Sequence, residues 1–323
     1  MSKILTATRL FIKNQPRFWS EVIKSLGFFF PDKLYLQVLY RLEMGHKLDL
    51  DDPQFFTEKL QWLKLYDRKS SYTKIVDKYE VKSIVQDLIG SEYIIPSIGV
   101  WNSPKDITWD ILPDRFVLKT TFGGGSDGVF ICKHKDFHEI ERIKNGIAKS
   151  MRTNPYQRLR EWPYKNVPKR IIAEEFLEDK SGDLRDYKFY CFNGEPKVLL
   201  IASNRYTSHN FDYFDMDFNR LPIRSAMGPN NPNITEKPLC FDRMKGIAKQ
   251  LSANYPHIRI DLYDCNSRIY FGEMTLYDSS GFDNMNSDEW DLKFGSWITL
   301  PNKTANISSY NNGLGNEGND MFY

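Results

Sequence analysis

Two carboxylates, an arginine and a threonine late in the chain have the spacing for metal and phosphoryl chemistry. Residues 258–263 and 269–276 read as strands flanking Asp264-Cys265-Asn266-Ser267-Arg268, and a hairpin centred on Ser267 sets Asp261 opposite Glu273 and Arg259 opposite Thr275. All four then share one face, with Ile260, Leu262, Met274 and Leu276 on the apolar one. Carboxylates about 5 Å apart across a sheet repel unless a cation lies between them, which suits Mg2+ bridging to phosphates. A second constellation pairs Lys119 with the run Gly123, Gly124, Gly125, Ser126, Asp127 and Gly128. Consecutive glycines let backbone N–H groups converge on phosphate oxygens, and Lys119 adds a point charge. A glycine-rich hairpin turn without a ligand has the same letters. A third candidate, Asp215-x-Asp217, has the spacing of a metal and nucleotide-sugar site, but it lies between turn residues with no apolar strand run before it.

The elements around the glycines decide between phosphate loops. Gly123-x-Gly125-x-x-Gly128 satisfies the dinucleotide pattern, yet Val129, Phe130 and Ile131 follow it with strand chemistry where that pattern needs a helix. No Gly-Lys-Ser/Thr closes the loop, and neither His-Arg-Asp nor Asp-Phe-Gly occurs. The reading is therefore strand, glycine turn, strand: a flap over a nucleotide's phosphates. Residues 170–177, RIIAEEFL, read as a buried strand that presents backbone groups to an adenine edge, with Glu174, Glu175, Phe176 and Leu177 nearest the base. An edge strand with solvated acids is the other reading of the same letters. Asp186 and Lys188 share a strand face, so a carboxylate for ribose hydroxyls and a second phosphate lysine sit side by side.

Helical patterns over 33–43, 56–65, 77–88, 137–151 and 242–253 alternate with these strands and predict an α+β chain. The expected divisions are a mainly helical region (1–70), a small lobe with the flap (71–169), a C-terminal lobe with the metal hairpin (170–301) and a flexible tail rich in Asn, Gly and Ser (302–323). The 323 residues are 41% hydrophobic and 15% aromatic, a composition with ample material for a core. A net charge of +2 says little about partners, and no nucleic acid is expected. Cys132, Cys191, Cys240 and Cys265 stand singly, so neither a disulfide framework nor a zinc site is indicated, and a reducing cytoplasm fits best. No apolar run approaches a membrane span, and the first residues lack the features of a signal peptide. Lys3, Arg9, Lys13, Arg17 and Lys24 against Glu21 suggest a basic amphipathic helix, either packed on its own domain or resting peripherally on the inner face of a membrane.

Taken in order, Val117-Leu118-Lys119 with its glycine loop, Ala173-Glu174-Glu175-Phe176-Leu177, Asp186-Tyr187-Lys188, Arg259-x-Asp261 and Glu273-x-Thr275 resemble the ATP-grasp ligases. Residues 56–63, 77–79, 95–96 and 271–275 look like the TupA-like branch, found among teichuronopeptide and surface-polysaccharide biosynthesis proteins. The resemblance implies an ATP-grasp fold, two α+β lobes clamping ATP. It implies Lys119 and Lys188 on the phosphates, Gly123 to Gly128 over them, and Glu174, Glu175, Phe176 and Leu177 at the adenine. Asp186 would lie near the ribose or substrate. Asp261 and Glu273 would hold Mg2+, with Thr275 where the superfamily usually has asparagine, and Arg259 would stabilise the transferring phosphoryl group. The implied activity is carboxylate–amine ligation through an acylphosphate, which a closing flap shields from water. The implied substrates are a uronic acid of a surface polysaccharide or its precursor and an amino acid or small amine. Two alternatives stay open: a glycosyltransferase using Asp215 and Asp217, and a glycan kinase with the same ATP site.

Overall fold

The computed structural model describes residues 15–125, 128–182, 184–204, 207–225, 227–234 and 236–302. Ser126 and Asp127 of the flap, Lys3, Arg9 and Lys13, and the expected tail from 303 onward lie outside the described residues. Among the described residues three α-helices come first: α1 (Gln15–Leu26), α2 (Asp32–Met44) and α3 (Phe56–Tyr66). Gly45 ends α2 in the left-handed region (φ 81°), its N–H returning to the Arg41 carbonyl, a turn that a side chain would strain. The start of α3 is fixed by Glu58, whose carboxylate accepts from the N–H groups of Asp49, Gln54 and Phe55 at 3.1, 3.0 and 3.2 Å.

After the short α4 (Tyr72–Val76) and α5 (Glu80–Ile89), the chain builds a four-stranded antiparallel sheet. Its strands are β1 (Ser97–Trp101), β2 (Phe116–Thr120), β3 (Val129–Cys132) and β4 (Ile171–Glu175), in the order β1-β4-β2-β3. Its back is closed by α6 (Phe137–Ser150), which lays Ile143 and Ile147 against Phe116, Leu118 and Ala173 in a small core of its own. Asp136 caps α6 by accepting from the Glu139 N–H at 2.8 Å. The short α7 (Pro155–Leu159) lies in the connection to β4. Although it follows the expected division at 169/170, β4 pairs with both β1 and β2, so the chain leaves this sheet only after Glu175.

The second sheet is five-stranded, antiparallel and ordered β7-β6-β5-β8-β9. Its strands are β5 (Asp186–Phe192), β6 (Glu195–Ser203), β7 (Asn210–Phe214), β8 (His257–Cys265) and β9 (Arg268–Thr275). One face packs on α8 (Phe241–Ser252) through Phe241, Met244, Ala248 and Leu251. The last helix of the described residues, α9 (Asp288–Ser296), returns to the N-terminal region, where Asp291 accepts from the Thr57 N–H at 2.9 Å and its hydroxyl at 2.7 Å. Gly295 brings this helix onto backbone: a Cβ there would lie 2.0 Å from the Gln54 carbonyl and 2.8 Å from the Phe56 nitrogen. Backbone cannot swing aside as a side chain can, so Gly295→Ala is expected to cost about 2–4 kcal/mol, read as a lowered urea midpoint. A midpoint unchanged from wild type would contradict that packing. Among the described residues no helix is long and apolar enough to cross a membrane.

Candidate functional site

The hairpin keeps the expected pairs by a different route from the expected one. Asn266 and Ser267 form a two-residue turn with both residues left-handed (φ 55° and 66°), and Cys265 pairs with Arg268. Continued unbroken, that register would set Asp261 against Gly272. An irregularity beside Asp261 and Leu262 accommodates Gly272 as an extra residue, and beyond it Asp261 faces Glu273 and Arg259 faces Thr275. The hairpin is thus centred between Asn266 and Ser267, not on Ser267, and the bulge supplies the offset. A Cβ on Gly272 would meet the Asp261 carbonyl at 3.0 Å and the Tyr263 ring at 3.1 Å, so the bulge favours the smallest residue.

Arg259 organises the shared face. Its Nε donates to Asp261 Oδ1 at 2.7 Å, and its Nη2 donates to Asp261 Oδ2 at 2.8 Å, Glu273 Oε1 at 3.1 Å and Thr275 Oγ1 at 3.2 Å. Nη1 bonds Asp278, just beyond β9, whose other oxygen accepts from the Tyr190 hydroxyl at 3.0 Å. Lys188, opposite Asp261 on β5, bonds that carboxylate too and pairs with Asp186 at 3.0 Å. Burial opposes the charges here, but Asp261 and Asp278 hold the guanidinium well above its ordinary value, and Asp186 and Asp261 raise Lys188. Likewise burial pushes Asp261 up, and Arg259 and Lys188 outweigh it. The facing carboxylates do not repel across an empty gap as expected: Arg259 already lies between them, and their pairing alone does not demand a metal. The donor set is nonetheless hard oxygen, two carboxylates and a hydroxyl. That set is compatible with Mg2+, which takes one or two carboxylates and fills its shell with phosphate and water. No cluster of three or more acidic, His or Cys side chains suited to holding a metal alone occurs among the described residues.

A cleft lined by Lys78, Lys82, Ile94, Ile95, Lys119, Glu174, Phe271 and Gly272 connects the flap sheet to the hairpin. Glu174, 4% exposed, sits between two ammonium groups, Lys119 at 2.5 Å and Lys82 at 2.6 Å. Burial would raise its carboxyl, but the two lysines outweigh that and lower it, whereas burial lowers Lys82, which has only a share of one carboxylate. Lys78, in the turn between α4 and α5, donates through its side chain to the Gly123 carbonyl and through its backbone to Thr121 at 2.8 Å, tying the start of α5 to the flap. Burial lowers Lys78 as well, against the pull of Glu273. Gly123, Gly125 and Gly128 all adopt left-handed backbone (φ 88°, 68° and 82°).

Of the residues expected at the base, Glu174 points into this lysine cluster while Glu175 is exposed and bonds Pro96 only through its N–H, at 3.1 Å. Phe176 packs under the Arg115 guanidinium at 4.3 Å, and Leu177 is half-buried beyond it. Asp215 is turned to local work: Oδ1 accepts from the Asp217 and Asn219 N–H groups at 3.0 and 2.8 Å, and Oδ2 from the Asn219 amide at 3.0 Å. Sequence reasoning gave no role to Lys78, Lys82 or Asp278. Lysines four apart on an amphipathic helix look like a solvated face, and Asp278 follows the strand in a turn with no periodic signal.

Two antiparallel sheets thus meet at a cleft of lysines around one buried glutamate in an α+β chain. The chain belongs to the TupA-like ATP-grasp family, whose model matches residues 58–299. No curated protein matches the sequence. Among solved structures it is similar to a D-alanine-D-alanine ligase from Helicobacter pylori, at 13% identity and a TM-score of 0.42 over 75% of this chain and 69% of that one. It is also similar to N5-carboxyaminoimidazole synthetase from Staphylococcus aureus complexed with ADP, at 13% identity and 0.42 over 84% and 65%. A D-alanine-D-alanine ligase from Bacillus anthracis complexed with ATP aligns at 14% identity and 0.38 over 69% and 65%.

Proposed function

We propose that this chain is an ATP- and Mg2+-dependent ligase that joins a carboxylate to an amine through an acylphosphate. The observation that carries the reading is the adjacency of the lysine cleft and the Arg259 face, linked through Phe271 and Gly272 of β9. In this reading Lys119, Lys188 and Lys78 bind phosphate oxygens, the Gly123 to Gly128 loop covers them, and Glu174, Glu175, Phe176 and Leu177 border the adenine. Asp186 lies near the ribose or the substrate. Asp261, Glu273 and Thr275 hold Mg2+, which neutralises phosphate charge when bound. Arg259 faces the transferring phosphoryl group and stabilises the charge that develops there. The lobes of the clamp are the flap lobe, through β4, and the lobe from β5 onward. The resemblance to surface-polysaccharide biosynthesis proteins read from the sequence suggests a uronic acid of such a polysaccharide, or its precursor, as the carboxylate, with an amino acid or small amine as its partner. Four free cysteines support a reducing, cytoplasmic setting.

The test is ADP release from MgATP with a panel of uronic acids and UDP-uronates, with and without amino acids and small amines. Release that needs both a carboxylate and an amine is the expected result. A stable phosphorylated sugar without an amine would make the protein a kinase. Asp261→Asn should lower turnover by about a thousandfold, and Asp215→Asn should leave it within about twofold. The reverse pattern would shift the assignment to a glycosyltransferase, a reading that the local bonding of Asp215 already disfavours.

A further inference from the structure

We propose that Lys64 and Gln61, on α3, are positioning residues for the Arg259 cluster: they hold the left-handed turn Ser279-Ser280-Gly281, which fixes Asp278 against Arg259. Three consecutive residues there have positive φ (46°, 53° and 68°), and two of them carry side chains. Such backbone is disfavoured for L residues and persists when the surroundings over-determine it. The surroundings are polar groups from α3. Lys64 Nζ donates to the Ser280 carbonyl at 2.7 Å and hydroxyl at 2.8 Å, and Gln61 Nε2 donates to the Ser280 and Gly281 carbonyls at 3.0 and 2.8 Å. The lysine is anchored in turn by Leu159 O at 2.9 Å and Gln61 Oε1 at 3.1 Å.

Both side chains are fully buried, an unusual place for a lysine unless its donors are needed. The turn approaches α3 so closely that a Cβ on Gly281 would lie 2.6 Å from Gln61 Nε2 and 2.9 Å from Leu60 Cβ. Directly before the turn comes Asp278, which bonds Arg259 and the Tyr190 hydroxyl. A shift of the turn therefore moves the carboxylate that orients Arg259. Glu161, in the connection before β4, also faces this network: burial raises its carboxyl, while Lys64 and the Ser280 hydroxyl favour its ionised form. The catalytic consequence rests on the proposed ligase reading, but the hold on the turn does not.

Lys64→Met and Gln61→Met in the full chain test this with two readouts: amide hydrogen exchange across residues 277–282, and ADP release from MgATP under the acceptor conditions that give wild-type turnover. Each variant should speed exchange in that segment at least about tenfold and lower kcat about tenfold, with KM for ATP within about threefold. Adding Ser280→Gly to Lys64→Met should recover at least about threefold in kcat, because glycine takes the left-handed backbone without help. Unchanged exchange, a changed KM with kcat intact, or no recovery by Ser280→Gly would overturn the proposal. Should Lys64→Met fail to fold, Gln61→Met carries both readouts. A wild type that releases no ADP would remove the ligase reading, while the exchange data would still decide whether α3 holds the turn.

Discussion

Arg259→Met is expected to abolish turnover and to lower folding stability by about 3–5 kcal/mol. The guanidinium is 12% exposed and bonds Asp261, Glu273, Thr275 and Asp278 at once. Without it Asp261 retains Lys188, but Asp278 keeps only the neutral Tyr190 hydroxyl for its charge. The loss is then dominated by Asp278, a partly buried carboxylate stripped of its cation. Turnover suffers separately, because an oriented donor to developing charge contributes a factor of roughly a hundred to a thousand. The double variant Arg259→Met, Asp278→Asn divides the two effects: removing the stranded charge should restore part of the stability and none of the turnover. Urea denaturation and ADP release measure them. A single variant that keeps turnover within about tenfold of wild type would remove Arg259 from the chemistry.

The second large effect is on nucleotide affinity. Lys119→Met and Lys78→Met should each weaken binding of a non-hydrolysable ATP analogue by about ten- to a hundredfold, since a charge-assisted bond to phosphate is worth roughly 1.5–3 kcal/mol. The two lysines differ in what they leave behind. Losing Lys119 leaves Glu174 to Lys82 alone, whereas losing Lys78 frees the Gly123 carbonyl and loosens the flap from the turn before α5. Calorimetric titration should therefore find the Lys78 variant losing more in flap order, with faster exchange at Gly123 to Gly125, and the Lys119 variant losing mainly enthalpy. Affinity unchanged in both would place the nucleotide elsewhere.

Much of the hairpin's geometry was legible in the sequence, for identifiable reasons. The apolar set Ile260, Leu262, Met274 and Leu276 fixes which face of the hairpin is buried, so Arg259, Asp261, Glu273 and Thr275 had to share the other. The bulge was less visible, although the core residues Ile269 and Phe271 are separated from Met274 and Leu276 by a step of three where an unbroken strand has two. The placement of Lys119 and the glycines between two strands was readable because strand chemistry flanks them. Lys82 was not, because a helix can present a lysine to water or to a cleft with the same spacing, and Lys78 falls in the turn before α5, where no periodic pattern marks it. The place of β4 was also hidden: nothing local to residues 171–175 says that the strand inserts between two strands made much earlier.

That insertion orders the life of the chain as it leaves the ribosome. β1 and β2 touch only through β4, so when residue 132 has been made only the β2–β3 hairpin can form, and β1 has no partner. The small sheet closes when residue 175 emerges, about forty residues after the flap, and α3 waits longer still for α9 at 288–296. A nascent chain halted between these points exposes unpaired strand edges of β1 and β2. Synthesis of the middle strand is the event that ends that exposure.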